Sequence, residues 1–288
     1  MAKTFQIMTV SMVMMMLISC RNPDDSSIIT VDQLNTTAPA APVKICFIHH
    51  STGSAWISSS NGGLGTALNN NNYYVTECDY GWDAELNDNL GDRTDTKDWP
   101  EWFTEVKMPN IYANNSHFDY PSNTISNPGG ENEIIMFKSC YPNSEVGLSI
   151  DDEKIIYNGL LPYFAAHTDK MFVLVIPPPE IVIDSAPLTR KLSNWLVDRN
   201  TGWLAGYAYY NVYAFNYYNI LTDAYNHHWV NTDGYEENIV TGSPADRDHP
   251  DELYYPTADD HPSAAGHQKA TAELLPLLNG WYHLWKGN

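Results

Sequence analysis

From Lys44 to Gly53 the chain reads Lys-Ile-Cys-Phe-Ile-His-His-Ser-Thr-Gly, and no other stretch limits its fold as strongly. Strand-forming residues run without polar alternation into a polar elbow. A strand with one wet face alternates, whereas an unbroken run marks a strand buried on both faces of a parallel sheet. Sheets of that kind bind ligands at the carboxyl ends of their strands. Ser51 stands just past this strand's end, so its hydroxyl is a candidate nucleophile; the plainer reading is a helix N-cap.

The rest of the chain repeats the pattern. Further strands are expected over 73–78, 133–137, 171–176 and 211–215, the fourth stopped by Pro177, Pro178 and Pro179. Between them lie helical signals. A short helix runs to Leu68, Asp151 and Asp152 open another with Ile155, Ile156 and Leu160 on one face, and a last one covers 262–278 with Pro262 in its first turn. Leu188, Leu192, Trp195 and Leu196 recur at helical spacing, a stripe that most simply faces a sheet. Strands alternating with helices predict one domain over 43–288, an α/β protein built as a three-layer α/β/α sandwich around a central, mainly parallel five-stranded sheet. Asn61-Gly-Gly-Leu-Gly65 lacks both the Gly-x-Gly-x-x-Gly spacing and a following Lys-Ser/Thr, so no nucleotide site is expected there.

The N-terminus is read as a targeting segment rather than structure. Lys3 precedes the apolar stretch 7–18, and Leu17-Ile-Ser-Cys20 closes residues 1–19 as a signal ending at a cysteine. This resembles a bacterial lipoprotein signal with Cys20 carrying the lipid; an ordinary signal peptide or an uncleaved anchor are the other readings. Residues 20–42 would then be the lipidated cysteine and a flexible tether rich in Asp, Ser, Thr, Pro and Ala. The expected place is the bacterial cell envelope, at the outer membrane or cell surface, facing periplasm or exterior. A net charge of -20, from 35 acidic against 15 basic residues, argues against nucleic acid or an anionic membrane surface as partner, so membrane contact is expected only through the lipid anchor. Cys46, Cys78 and Cys140 match no metal-ligand spacing, and one disulfide with a free thiol or three buried thiols both fit.

Near the C-terminus stands Ala258-Asp-Asp-His-Pro-Ser263. An acidic residue beside a histidine at a helix start is what a nucleophilic serine requires, since the imidazole takes the hydroxyl proton and the carboxylate orients the ring. His261 is the candidate base; taken alone it would more simply be a loop or capping residue. With Ile48-His-His-Ser-Thr-Gly53 after the first strand, Gly91-Asp-Arg-Thr94 after the second and Asn143 after the third, this segment completes four blocks that resemble the SGNH, or GDSL-type, hydrolases over residues 43–280. The resemblance implies a flavodoxin-like fold, Ser51 as nucleophile and His261 as general base. It also implies Asp259 as the orienting acid, with Asp260 as its substitute, and an oxyanion hole from the Ser51 and Gly91 backbone N–H groups and the Asn143 side chain. No cofactor is implied. The chain departs from the family pattern at His49-His50, where Gly-Asp is usual. It departs again at Ala258, where the acid is usual, which leaves Asp259, Asp260 or a Ser-His dyad open, and around Asn143, whose usual Gly and Asp neighbours are missing.

The expected activity is that of an extracytoplasmic serine esterase removing acyl groups, acetyl above all, from a polysaccharide or another small ester. Trp56, Trp82, Trp99 and Trp102 are the candidates for stacking on sugar faces, with core or loop packing as the rival role. Two other readings stand beside it. One is a catalytically inactive carbohydrate-binding surface lipoprotein on the same fold. The other is a metal-dependent hydrolase using His49 and His50, or His227, His228, Asp248 and His249; adjacent residues of an extended chain point to opposite sides, which disfavours the first pair, and no metal is expected.

Overall fold

The computed structural model of the protein describes residues 34–79, 94–113, 119–140, 149–178, 186–220, 229–230, 236–237 and 261–287. Strands β1 (Val43–His49), β2 (Tyr73–Asp79), β3 (Ile134–Lys138), β4 (Met171–Ile176) and β5 (Val212–Asn216) form one sheet in the order β2-β1-β3-β4-β5. Every neighbouring pair is parallel. A short antiparallel pair, β6 (Trp229–Val230) with β7 (Glu236–Glu237), stands apart from it. The strand order reverses at β1, so the crevice at the carboxyl ends of β1 and β3 is the topological switch point.

Helices cover both faces, as the unbroken apolar strands require. They are α1 (Thr52–Ile57), α2 (Leu64–Asn70), α3 (Trp99–Trp102), α4 (Met108–Tyr112), α5 (Ile150–Ala166), α6 (Ala186–Val197), α7 (Tyr217–Ile220) and α8 (Ala264–Lys286). Alternate strand residues feed separate cores. Ile45, Phe47, Met136 and Val173 meet Trp56, Leu68 and Leu274 from α1, α2 and α8. Ile48, Phe137, Phe172 and Leu174 meet Trp99, Leu160, Phe164 and Leu196 from α3, α5 and α6. The expected three layers and five parallel strands are therefore present.

Several local expectations are corrected. On α5 the inward stripe is Glu153, Tyr157, Leu160 and Phe164, while Ile155 is 69% exposed. The capping box sets that phase: the Ser149 hydroxyl accepts the Asp152 N–H at 3.2 Å, and the Asp152 carboxylate accepts the Ser149 N–H at 3.1 Å. The helix so started turns two large aromatic rings inward, which bury more apolar area than the isoleucines. Helix α8 begins after Pro262 rather than on it, because the Ser263 hydroxyl caps the Gly266 N–H at 3.3 Å, and it continues to a left-handed Gly287 at φ 73°. His261 is thereby left just outside the helix.

Residues 34–42, expected to be the end of a flexible tether, are fastened to the domain. The Asn279 side-chain amide donates to Thr36 O at 2.9 Å and that of Asn72 to Pro39 O at 2.8 Å, while a Cβ on Gly280 would meet Leu34 at 2.7 Å. Polar backbone that finds protein partners is held in place. Cys46, Cys78 and Cys140 are free and buried, with the first two sulfurs 3.8 Å apart on adjacent strands. Among the described residues no helix is long and apolar enough to cross a membrane. Cys20, the signal segment and residues 20–33 lie outside the described residues.

Candidate active site

The candidate site begins where β1 ends. Ser51 holds φ 49° and ψ -103°, a combination that non-glycine residues rarely adopt and that costs about 1–3 kcal/mol unless its surroundings enforce it. They do. The Gly53 N–H donates to His50 O at 3.0 Å, and Ser54 N–H to Ser51 O at 2.9 Å, closing a sharp strand-to-helix turn. Gly53 lies so close beneath that turn that a Cβ there would stand 2.5 Å from the His49 Cβ and 2.6 Å from its Cγ. A strained serine on such an elbow projects its hydroxyl above the sheet.

Ser51 occupies the N-cap position of α1, yet its side chain caps nothing. Its Oγ instead lies 2.6 Å from Nε2 of His261, across 210 positions of sequence. That distance is within the hydrogen-bonding reach that a nucleophile and its general base require. The capping alternative for Ser51 is overturned by this placement, because the hydroxyl points at the histidine and not back at the helix amides.

The two histidines before the serine separate as an extended chain requires. His49 is fully buried, with Nε2 3.4 Å from a Glu77 carboxylate oxygen and Nδ1 3.5 Å from Asp79 Oδ1. It lies over the Phe47 ring at 4.3 Å and forms the floor on which Gly53 rests. His50 turns the other way, and its Nδ1 hydrogen-bonds the Thr94 hydroxyl. Neither ring can share an ion with the other, and among the described residues no group of three or more His, Cys, Asp or Glu side chains could hold a metal. His227, His228, Asp248 and His249 lie outside the described residues.

Gly91, Asn143, Asp259, Asp260 and Trp82 also lie outside them. The other tryptophans are corrected: Trp56 and Trp99 are 0% exposed and Trp102 1%. Trp56 donates its indole N–H to Thr271 at 2.9 Å and stacks on Phe215 at 5.9 Å, and Trp99 donates to the Ser139 hydroxyl at 3.2 Å. Rings closed in by helix and sheet offer no face to a sugar. Trp99 and Trp102 sit on α3, which packs them against the sheet beside Phe137.

Some residues around the site gave little signal of their own in the sequence. Lys138, the last residue of β3, is 0% exposed, and burial pulls its pKa down to about 8. Its ammonium donates to the Thr52 hydroxyl, to Ser139 O at 2.7 Å and to Cys140 O at 3.1 Å. His267, on the first turns of α8, is also buried; its Nδ1 lies 2.5 Å from the Tyr217 hydroxyl. Burial first, then the charges of Lys138 and His261, push its pKa down to about 3, so it stays neutral. A visible cue for Lys138 was a cation closing an otherwise apolar strand. Along the flank of α1, one turn beyond Ser51, a groove of about 240 Å³ is lined by Ser54, Ser58, Ser122, Glu77 and Asp79, with Ile57 and Tyr120.

Fold and site together define an α/β protein with a doubly covered parallel sheet and a serine–histidine pair at its switch point. No family model matches the chain, and no curated protein matches it. Among solved structures it is similar to a Bacteroides fragilis protein described as a "putative acylhydrolase", with a TM-score of 0.44 and 9% identity, over 90% of this chain and 99% of that one.

Proposed function

We propose that this protein is a serine esterase in which Ser51 attacks an acyl carbonyl and His261 relays the proton. The observation that carries the reading is the 2.6 Å contact between Ser51 Oγ and His261 Nε2 on a strained elbow at the switch point. His261 Nε2 removes the hydroxyl proton as Oγ bonds to the carbonyl carbon. The tetrahedral intermediate collapses, the alcohol leaves with that proton, and an acyl-Ser51 ester remains. Water activated by the same nitrogen then releases the acid and restores the serine. Oxyanion donors from Ser51, Gly91 and Asn143, and an orienting acid at Asp259 or Asp260, are the family roles proposed to complete the machinery.

The proposed substrate is an O-acyl ester, acetyl above all, on a carbohydrate, and the proposed setting is a lipid-anchored protein outside the cytoplasm. The polar groove beside α1 supports a hydroxyl-rich alcohol portion, since its serines and carboxylates can exchange hydrogen bonds with sugar hydroxyls. Turnover of 4-nitrophenyl acetate by purified protein, beside Ser51→Ala at matched concentration, tests the chemistry. Loss of at least about a thousandfold in kcat/KM with an unchanged circular dichroism spectrum is expected. Equal rates for the two proteins would overturn the reading.

A further inference from the structure

Lys138 is a cation that the proposed chemistry does not use. It is wholly buried, and its three N–H donors are matched by three neutral oxygens: the Thr52 hydroxyl, Ser139 O and Cys140 O. The Thr52 hydroxyl in turn donates to Cys140 O at 3.3 Å. Among the described residues no carboxylate is hydrogen-bonded to the ammonium, and Asp95 is the acid whose charge acts on it. A buried charge hydrogen-bonded to neutral oxygens is costly, and a leucine or methionine would fill the volume more cheaply. Thr52 is the neighbour of Ser51, while Ser139 and Cys140 lead away from β3. The lysine therefore joins the two strand exits that flank the switch point, and places positive charge one residue from the nucleophile.

We propose that Lys138 is a positioning residue for the reaction, holding the Ser51 elbow against the exit of β3 and favouring, through its buried charge, the negative charge that grows on the substrate's carbonyl oxygen. This rests on the esterase reading of Ser51. A preorganised cation in a site that excludes water stabilises such charge without having to move during the reaction. Because burial holds the lysine pKa near about 8, the effect is full below that pH and fades above it. The titratable groups facing Lys138 are Asp95, whose carboxylate accepts the Cys140 N–H at 3.3 Å, Cys140 itself, and His267 from α8. Farther off, across Thr96, lies the buried Glu153 of α5.

The test measures kcat and KM for 4-nitrophenyl acetate from pH 6 to pH 10 in the intact protein and its variants. Lys138→Met is expected to lower kcat about tenfold below pH 8, to leave KM within about twofold, and to lack the alkaline fall expected of the parent around pH 8. Lys138→Arg, which keeps the charge at all these pH values, restores part of kcat and also lacks the fall. Glu153→Gln and Cys140→Ser retain it. Should Lys138→Met fail to fold, Thr52→Val decides, with lowered kcat and an alkaline midpoint displaced to lower pH. Parent-like kcat with an unmoved alkaline limb in the folded variant overturns the proposal, as does loss of that limb in Glu153→Gln or Cys140→Ser. If Ser51→Ala is inactive while Lys138→Met behaves as the parent, only the lysine proposal falls. If Ser51→Ala keeps full turnover, the esterase reading falls first.

Discussion

At the scale of single residues, the geometry of the Ser51 elbow depends on one glycine beside it. Gly53 is the position where the helix after β1 comes down onto His49, and a methyl group there meets two side-chain carbons at 2.5 and 2.6 Å. His49 cannot withdraw, being fully enclosed between Phe47 and the carboxylates of Glu77 and Asp79. The elbow itself must therefore lift. Gly53→Ala is expected to cost roughly 1–3 kcal/mol of stability and to lower kcat at least about tenfold, because Ser51 Oγ moves off the His261 nitrogen. Thermal melts and ester turnover read the two effects. A variant as stable and as active as the parent would show that the close approach is unimportant.

At the scale of elements, α5 carries an acid where a hydrophobic residue would ordinarily stand. Glu153 is 2% exposed, and burial raises its pKa to about 8. Above the ordinary value of 4.5 the unfolded chain has lost this proton while the folded chain keeps it until about 8. Stability therefore declines across that interval as pH rises. Glu153→Gln removes the titration with little change of shape. Its melting temperature relative to the parent is expected to climb between pH 5 and pH 9, by an amount of order 1–3 kcal/mol in stability. A constant difference at both ends of the range would sink this account. The same helix shows why periodicity misled: Ile155 and Ile156 looked like a core stripe, but the Ser149 capping box fixed a phase that buries Tyr157 and Phe164 instead.

At the scale of the whole molecule, the chain carries a net charge of -20. Like charges distributed over one folded body repel, and the expanded chain relieves them. Raising NaCl from ~0.01 M to ~0.5 M is expected to raise the melting temperature, since the screening length falls to a few ångströms. A fall over that range would mean that favourable ion pairs, such as Lys170 with Glu131 at 2.6 Å, outweigh the general repulsion.

The amino-acid sequence by itself determined the layered α/β architecture, because continuous apolar strands and amphipathic helices have few other ways to bury their surfaces. It also marked Ser51 and His261, two residue types whose chemistry is local even where their meeting is not. What only the tertiary structure decided is which side chains face one another. The pairing of Ser51 with His261 was legible only as the implication of a family resemblance; that their side chains meet at 2.6 Å, that Trp56, Trp99 and Trp102 serve the core, and that Lys138 spans two strand exits are set by the fold. Local propensity fixes the elements. Long-range packing and the need to satisfy every buried polar atom fix their partners, and those pairings are set by the fold as a whole.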